Sequence, residues 1–89
     1  MLFRLGKLLA TRGALQALQE ARQDYQEFLR RHATGDWGEI CGEDQERNNQ
    51  ALKDGTRLLS AYTTKKGEKL WIITEADRSA TTLLLPDEY

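Results

Sequence analysis

Arg57-Leu58-Leu59-Ser60-Ala61-Tyr62-Thr63-Thr64-Lys65-Lys66-Gly67-Glu68-Lys69-Leu70-Trp71-Ile72-Ile73-Thr74-Glu75 is the stretch that decides the fold. Two runs rich in strand-forming residues flank Lys65-Lys66-Gly67-Glu68, where Gly67 offers the positive φ of a tight connection, so the spacing predicts a β-hairpin. Ala76-Asp77-Arg78 reads as a second short turn. A third strand, Ser79 to Leu85, follows and is stopped by Pro86, the chain's one proline, which cannot donate to a ladder. Alternation on the middle strand puts Leu70, Ile72 and Thr74 on one face and Trp71, Ile73 and Glu75 on the other. Both faces are apolar near the centre. The expectation is an antiparallel meander with helices on one side and an uncovered, adhesive second side.

Upstream, the period changes to that of helices. Leu2 to Ala10 fits a short strand, because Phe3 and Leu5 alternate with Arg4 and Gly6, and a helix through Gly6 would cost about 1 kcal/mol relative to alanine. Thr11 is a natural N-cap for a helix from Arg12 to Arg22, whose Ala14, Leu15, Leu18 and Ala21 form a core-facing stripe. Asp24 and Glu27 have capping-box spacing before a second helix, Tyr25 to Ala33, with Tyr25, Phe28, Leu29 and His32 on its inner face. One continuous helix over 12–33 is the alternative, and Gly35 stops either version. Gly35 to Gly42 reads as a glycine-rich loop plugged by Trp37. A third helix, Glu43 to Asp54, has acids in its first turn, Lys53 in its last and Gly55 beyond it, as the helix dipole favours. The predicted architecture is a single α+β domain over 1–89: a short N-terminal strand, two to three helices, then a three-stranded antiparallel meander with the helices on one face.

Composition narrows the function classes. Eighty-nine residues with 39% apolar content support one modest core. Thirteen basic against fourteen acidic groups supply no cationic field for tracking phosphates, so nucleic acid is not an expected partner. No run approaches the roughly 20 apolar residues of a membrane span. Arg4 and Lys7 interrupt the first ten residues too early for a signal peptide, and the single Cys41 cannot close an internal disulfide, so a soluble cytoplasmic protein is expected. Charge is uneven: net +3 over residues 1–31, −4 over 32–56 and zero over 57–89. Glu43, Asp44 and Glu46 make the third helix an acidic face able to compete for a basic groove, or simply a solvated one.

Residues with chemical potential are few. His32, Asp36, Glu39 and Cys41 lie close in sequence, but one His and one Cys are a poor ligand set for zinc, and no metal or cofactor is expected. No base at a familiar spacing activates Cys41, which reads better as a small buried hydrophobe. Phosphate-loop, dinucleotide and zinc-protease signatures are missing. Helices followed by an antiparallel sheet also suit a small metal-independent ribonuclease, with His32 as acid/base, Arg57 holding phosphate, and Tyr62, Ser60, Thr81 or Thr82 placing the 2′-hydroxyl. The turn Thr74-Glu75-Ala76-Asp77-Arg78-Ser79 could present hydrogen-bonding groups to a partner; equally, Asp77 could form an Asx turn with Arg78 pairing Glu75 or Asp77.

The segments Gly35-Asp36-Trp37-Gly38, Arg57 to Tyr62 and Trp71 to Pro86 resemble a family of small bacterial proteins carried on plasmids and integrative elements, over about residues 11–89. The family has no settled activity, although its members often carry the label of a type I restriction methyltransferase subunit. A methyltransferase needs a doubly wound sheet and an Asn-Pro-Pro-aromatic loop, which this chain is too short and too proline-poor to supply. Relatives often have proline at positions matching Arg12 and Asp24, where this chain has none. The resemblance implies carriage on a mobile element; small size, missing catalytic motifs, the segregated acidic stretch and the apolar second sheet face add the expectation of a non-catalytic cytosolic interaction module, an inhibitor or modulator of a host nucleic-acid or defence enzyme. Its expected binding residues are Trp71, Ile73, Glu75, Asp77, Arg78, Glu43, Asp44 and Glu46. The expected partner is a protein, with a homodimer as an alternative; the ribonuclease-like toxin using His32, Arg57 and Tyr62 is the competing reading.

Overall fold

The computed structural model describes residues 1–89, which run β1 (Lys7–Ala10), α1 (Arg12–Ala21), α2 (Tyr25–Ala33), α3 (Gly42–Asp54), β2 (Leu58–Thr63), β3 (Lys69–Thr74), β4 (Ala80–Leu84) and a 3-10 turn, Pro86–Glu88. The α+β class and the hairpin match the sequence reading. β2 and β3 pair antiparallel from Leu58↔Thr74 to Thr63↔Lys69, and β3 pairs antiparallel with β4. The meander is one strand short of the whole sheet. β1 joins β4 in parallel, Lys7↔Ala80 to Ala10↔Leu83, giving the mixed order β1-β4-β3-β2.

Local signals explain the helix boundaries. Thr11 is extended and its hydroxyl accepts from the Ala14 N–H at 3.1 Å, which starts α1. The single-helix alternative fails at Arg22, which turns left-handed (φ 54°) while its N–H closes on the α1 carbonyls. Asp24 then caps α2, but through the Gln26 N–H at 2.8 Å; Glu27 receives Gln23 Nε2 instead of reaching back, so the reciprocal capping box does not form. Cys41, expected in the core, is exposed at the N-cap of α3 and makes no capping bond.

The helices cover one face of the sheet. Ala14, Leu18, Phe28 and Leu29 pack on Tyr62, Leu70, Ile72 and Leu83 in the main core. A smaller cluster sets Trp37 against Ala51 and Leu58, with Phe3 stacked on its ring at a centroid distance of 6.2 Å. Each fully buried leucine or isoleucine here contributes about 1.5–3 kcal/mol. Two expected core residues stay out: Leu15 is 52% exposed and Tyr25 39%.

The second face is not left bare as expected. The C-terminal turn folds back over it: Tyr89 meets Trp71 edge to face at 6.0 Å, and Ile73 and Leu84 are buried. Glu88 fixes this turn by accepting from Thr11 Oγ1 (2.5 Å), Leu85 N (2.8 Å) and Gly13 N (3.2 Å), which also places a carboxylate at the positive end of α1. These bonds, the Thr11 hydroxyl first, hold its carboxyl below the usual range.

The two sheet edges differ. At β2, Trp37 O accepts from Ala61 N (3.1 Å) and Glu39 N donates to Ala61 O (2.7 Å). Gly38 makes this approach possible: it has φ +78°, and a Cβ there would lie 2.0 Å from the Ala61 carbonyl oxygen. Beside it the Asn48 amide acts as a strand surrogate, donating to Leu59 O (2.7 Å) and accepting from Leu59 N (3.2 Å). The β2 edge is thereby closed. The β1 edge has no such cover.

Candidate functional site

His32 lies on the inner face of α2, as its spacing predicts, and is fully buried. Its Nδ1 is 2.5 Å from Ser60 Oγ and its Nε2 is 2.9 Å from Thr74 Oγ1; Thr74 in turn is 2.8 Å from Thr81 Oγ1, which donates to Leu5 O at 2.7 Å. The direction of every bond follows from the last one. A carbonyl can only accept, so Thr81 spends its hydrogen there and must accept from Thr74; Thr74 must then accept from Nε2–H, leaving Nδ1 bare to accept from Ser60. The Leu5 carbonyl thus fixes the neutral Nε2–H tautomer of the third side chain along the relay. Burial, with a smaller repulsion from Arg78, lowers the imidazole from 6.5 to about 4. Phe3 and Trp37 close the ring's flanks edge on, at 5.2 and 5.7 Å.

The ribonuclease parts do not converge. Ser60 and Thr81 are consumed in the His32 network. Arg57 is exposed on the other side of the sheet, where its guanidinium lies 5.4 Å from the Tyr89 ring centre and donates to the Tyr89 hydroxyl. Thr82 lines a groove on that same face with Arg57, Ile73 and Leu84. Tyr62 is buried, donates to Asp36 O at 2.7 Å, and is pushed up to about 12 mainly by burial. No open site brings an acid/base and a phosphate anchor together.

The expected binding turn is a structural joint. Asp77 Oδ1 accepts from Ser79 N at 3.0 Å, the Asx turn that was one of its two readings. Arg78 departs from both: it forms no ion pair with Glu75 or Asp77, and its guanidinium donates to the carbonyls of Thr56 (2.6 Å), Ala51 (3.0 Å), Glu75 (3.1 Å) and Ala76 (3.2 Å). One cation therefore closes the C-terminal end of α3 onto the β3–β4 turn. Trp71 is half-buried and Ile73 buried under the C-terminal turn, while Glu75 is exposed. On α3, Glu43 and Glu46 are exposed and Asp44 pairs with Arg47 at 3.4 Å.

The surface left unsatisfied lies elsewhere. Lys7 N and Thr11 N donate to Ser79 O and Leu83 O, both at 2.9 Å, so the alternation along a strand turns the N–H and C=O groups of Leu8 and Ala10 away from β4. Leu8 and Leu9 are 45% and 42% exposed. With Ala10, Leu15, Tyr25 and Leu83 they line a mostly apolar groove of about 180 Å³ beside the open edge. The sequence reading missed this site, although a signal was present: Leu8 and Leu9 are neighbours on a strand and point to opposite faces, and Leu15 follows core-facing Ala14 on a helix.

No family model, curated protein or solved structure matches this chain. No helix is long and apolar enough to cross a membrane.

Proposed function

We propose that this protein is a non-catalytic interaction module that engages a protein partner through the β1 edge and the adjoining groove. One contrast carries the reading: the interior hydroxyls and imidazole saturate one another, whereas β1 keeps unpaired backbone groups next to exposed leucines. Strand addition at such an edge takes its affinity from main-chain hydrogen bonds and its selectivity from neighbouring side-chain pockets. Modulation of a host nucleic-acid or defence enzyme is the role we assign to it. That role takes up, as part of the proposal, the resemblance read in residues 35–38, 57–62 and 71–86, and is supported by the exposed acids Glu43 and Glu46, which suit a basic surface. The docking site first expected around Trp71, Asp77 and Arg78 moves to β1, because the C-terminal turn and the Arg78 joint occupy that region.

Photo-crosslinking inside producing cells tests the module. A photoreactive side chain at Leu15 or Tyr25 should yield protein adducts, while the same group at the exposed Gln50, on α3 beside the opposite β2 edge, should not. Absence of groove-specific adducts would refute the reading, as would cleavage of RNA by the purified wild-type protein.

A further inference from the structure

We infer that the occupant of the β1 edge is β1 of a second copy of this chain, paired antiparallel about a two-fold axis at Leu9. This rests on the module reading and names the protein held at β1, leaving the exposed acids Glu43 and Glu46 of α3 to meet the host enzyme. The outward backbone groups belong to Leu8 and Ala10, separated by one residue. Antiparallel pairing about Leu9 sets Leu8 opposite Ala10 of the second copy and Ala10 opposite its Leu8, so both residues exchange N–H···O=C bonds in each direction and none of the four groups remains free. Two four-stranded sheets become one continuous sheet.

Side chains complement each other under the same operation. An axis perpendicular to the sheet keeps the helices of both copies on one side, so Leu8 packs against Ala10 of the second copy on the inner face, where Leu15 and Tyr25 of both copies flank the seam. Leu9 meets Leu9 on the outer face. Lys7, which forms no ion pair within its own chain, comes opposite Thr11 of the second copy, whose hydroxyl is 2.5 Å from Glu88. A lysine on an edge strand ordinarily guards against pairing. Here the group across the axis is a carboxylate, so the charge selects this register. The short strand, Lys7–Ala10, makes the dimer weak and concentration-dependent.

Sedimentation equilibrium on the purified full chain, from about 10 μM to about 1 mM, should show a reversible shift toward twice the monomer mass. Amide exchange at Leu8 and Ala10 should slow over the same range. Leu9→Lys places two ammonium groups at the axis and Lys7→Glu sets like charges together; each should raise the dimer Kd at least about tenfold. Neither site is buried, and an unchanged circular-dichroism melt at low concentration establishes that the variants fold. A monomer throughout would overturn the inference, as would a dimer indifferent to Leu9→Lys. Crosslinks from Leu15 or Tyr25 to a different protein, together with a wild-type monomer, would overturn self-pairing and leave the module standing; no groove crosslinks at all would remove both.

Discussion

Acidification should unlock the core through His32. The imidazole titrates near 6.5 when unfolded and is lowered to about 4 in the fold, so the unfolded chain binds a proton more readily. The stabilisation is therefore complete above the unfolded value and is lost as pH falls toward the folded one. Linkage over that interval predicts a loss of about 2 kcal/mol between about pH 7 and pH 5, approaching about 3 kcal/mol nearer pH 4. Against the few kcal/mol of a domain this small, that is a large fraction. The structural cause is specific: a second proton on Nδ1 faces the Ser60 hydroxyl, which must turn away, and the new charge is buried with Arg78 nearby. The carboxyls of Asp36, Glu39, Asp77 and Glu88, all lowered by their hydrogen bonds, lose their contributions only at more acidic pH, so the upper window isolates the one histidine. Urea unfolding followed by circular dichroism across this window, with the imidazole shift read by NMR on the same samples, measures both sides of the linkage. An imidazole that titrates at or above 6.5 in the folded protein, or a flat stability profile from pH 7 to pH 5, would refute the reasoning.

Other expectations follow from single contacts. Gly38→Ala should cost about 3 kcal/mol, from the left-handed backbone and the collision with the Ala61 carbonyl, read as a lowered urea midpoint. Asn48→Ala should cost about 1–2 kcal/mol and accelerate hydrogen exchange at the Leu59 amide, which loses its acceptor. Arg78→Ala should cost about 2–3 kcal/mol by freeing the carbonyls of Ala51 and Thr56; Arg78→Lys should recover only part, since an ammonium lacks the planar fork. Unchanged denaturation curves in these variants would contradict the assigned contacts.

What the sequence displayed was local. The hairpin was legible because two runs of period two bracket Gly67, and the first two helix starts were legible because Thr11 and Asp24 are caps whose partners lie two or three residues away. Long-range partners were not. Nothing near Lys7 announces Ala80, so the N-terminal strand could be read but not its place in the sheet. His32 could be placed on an inner face, yet its hydroxyl partners come from Ser60 and Thr74 on two other strands. The turn's sequence offers Arg78 either to a partner or to Glu75 or Asp77, whereas Arg78, at φ 61°, donates to the carbonyls of Thr56 and Ala51 beyond the turn. The open groove was legible only in part: Leu8 and Leu9 cannot share a face, but Leu15 and Tyr25 fit a core-facing helical stripe and nonetheless stay exposed beside the edge strand β1.

The parallel seam between β1 and β4 has a consequence for biosynthesis. Lys7 must wait for Ala80 before it has a neighbour, so during translation the earliest strand travels alone through the making of three helices and a hairpin. Closure of so long a loop is slow relative to local helix and hairpin formation. Until Ala80–Leu84 leaves the ribosome, Leu8 and Leu9 are bare on both flanks of their strand, and this is the interval in which a nascent chain would be captured by a chaperone or by another nascent chain.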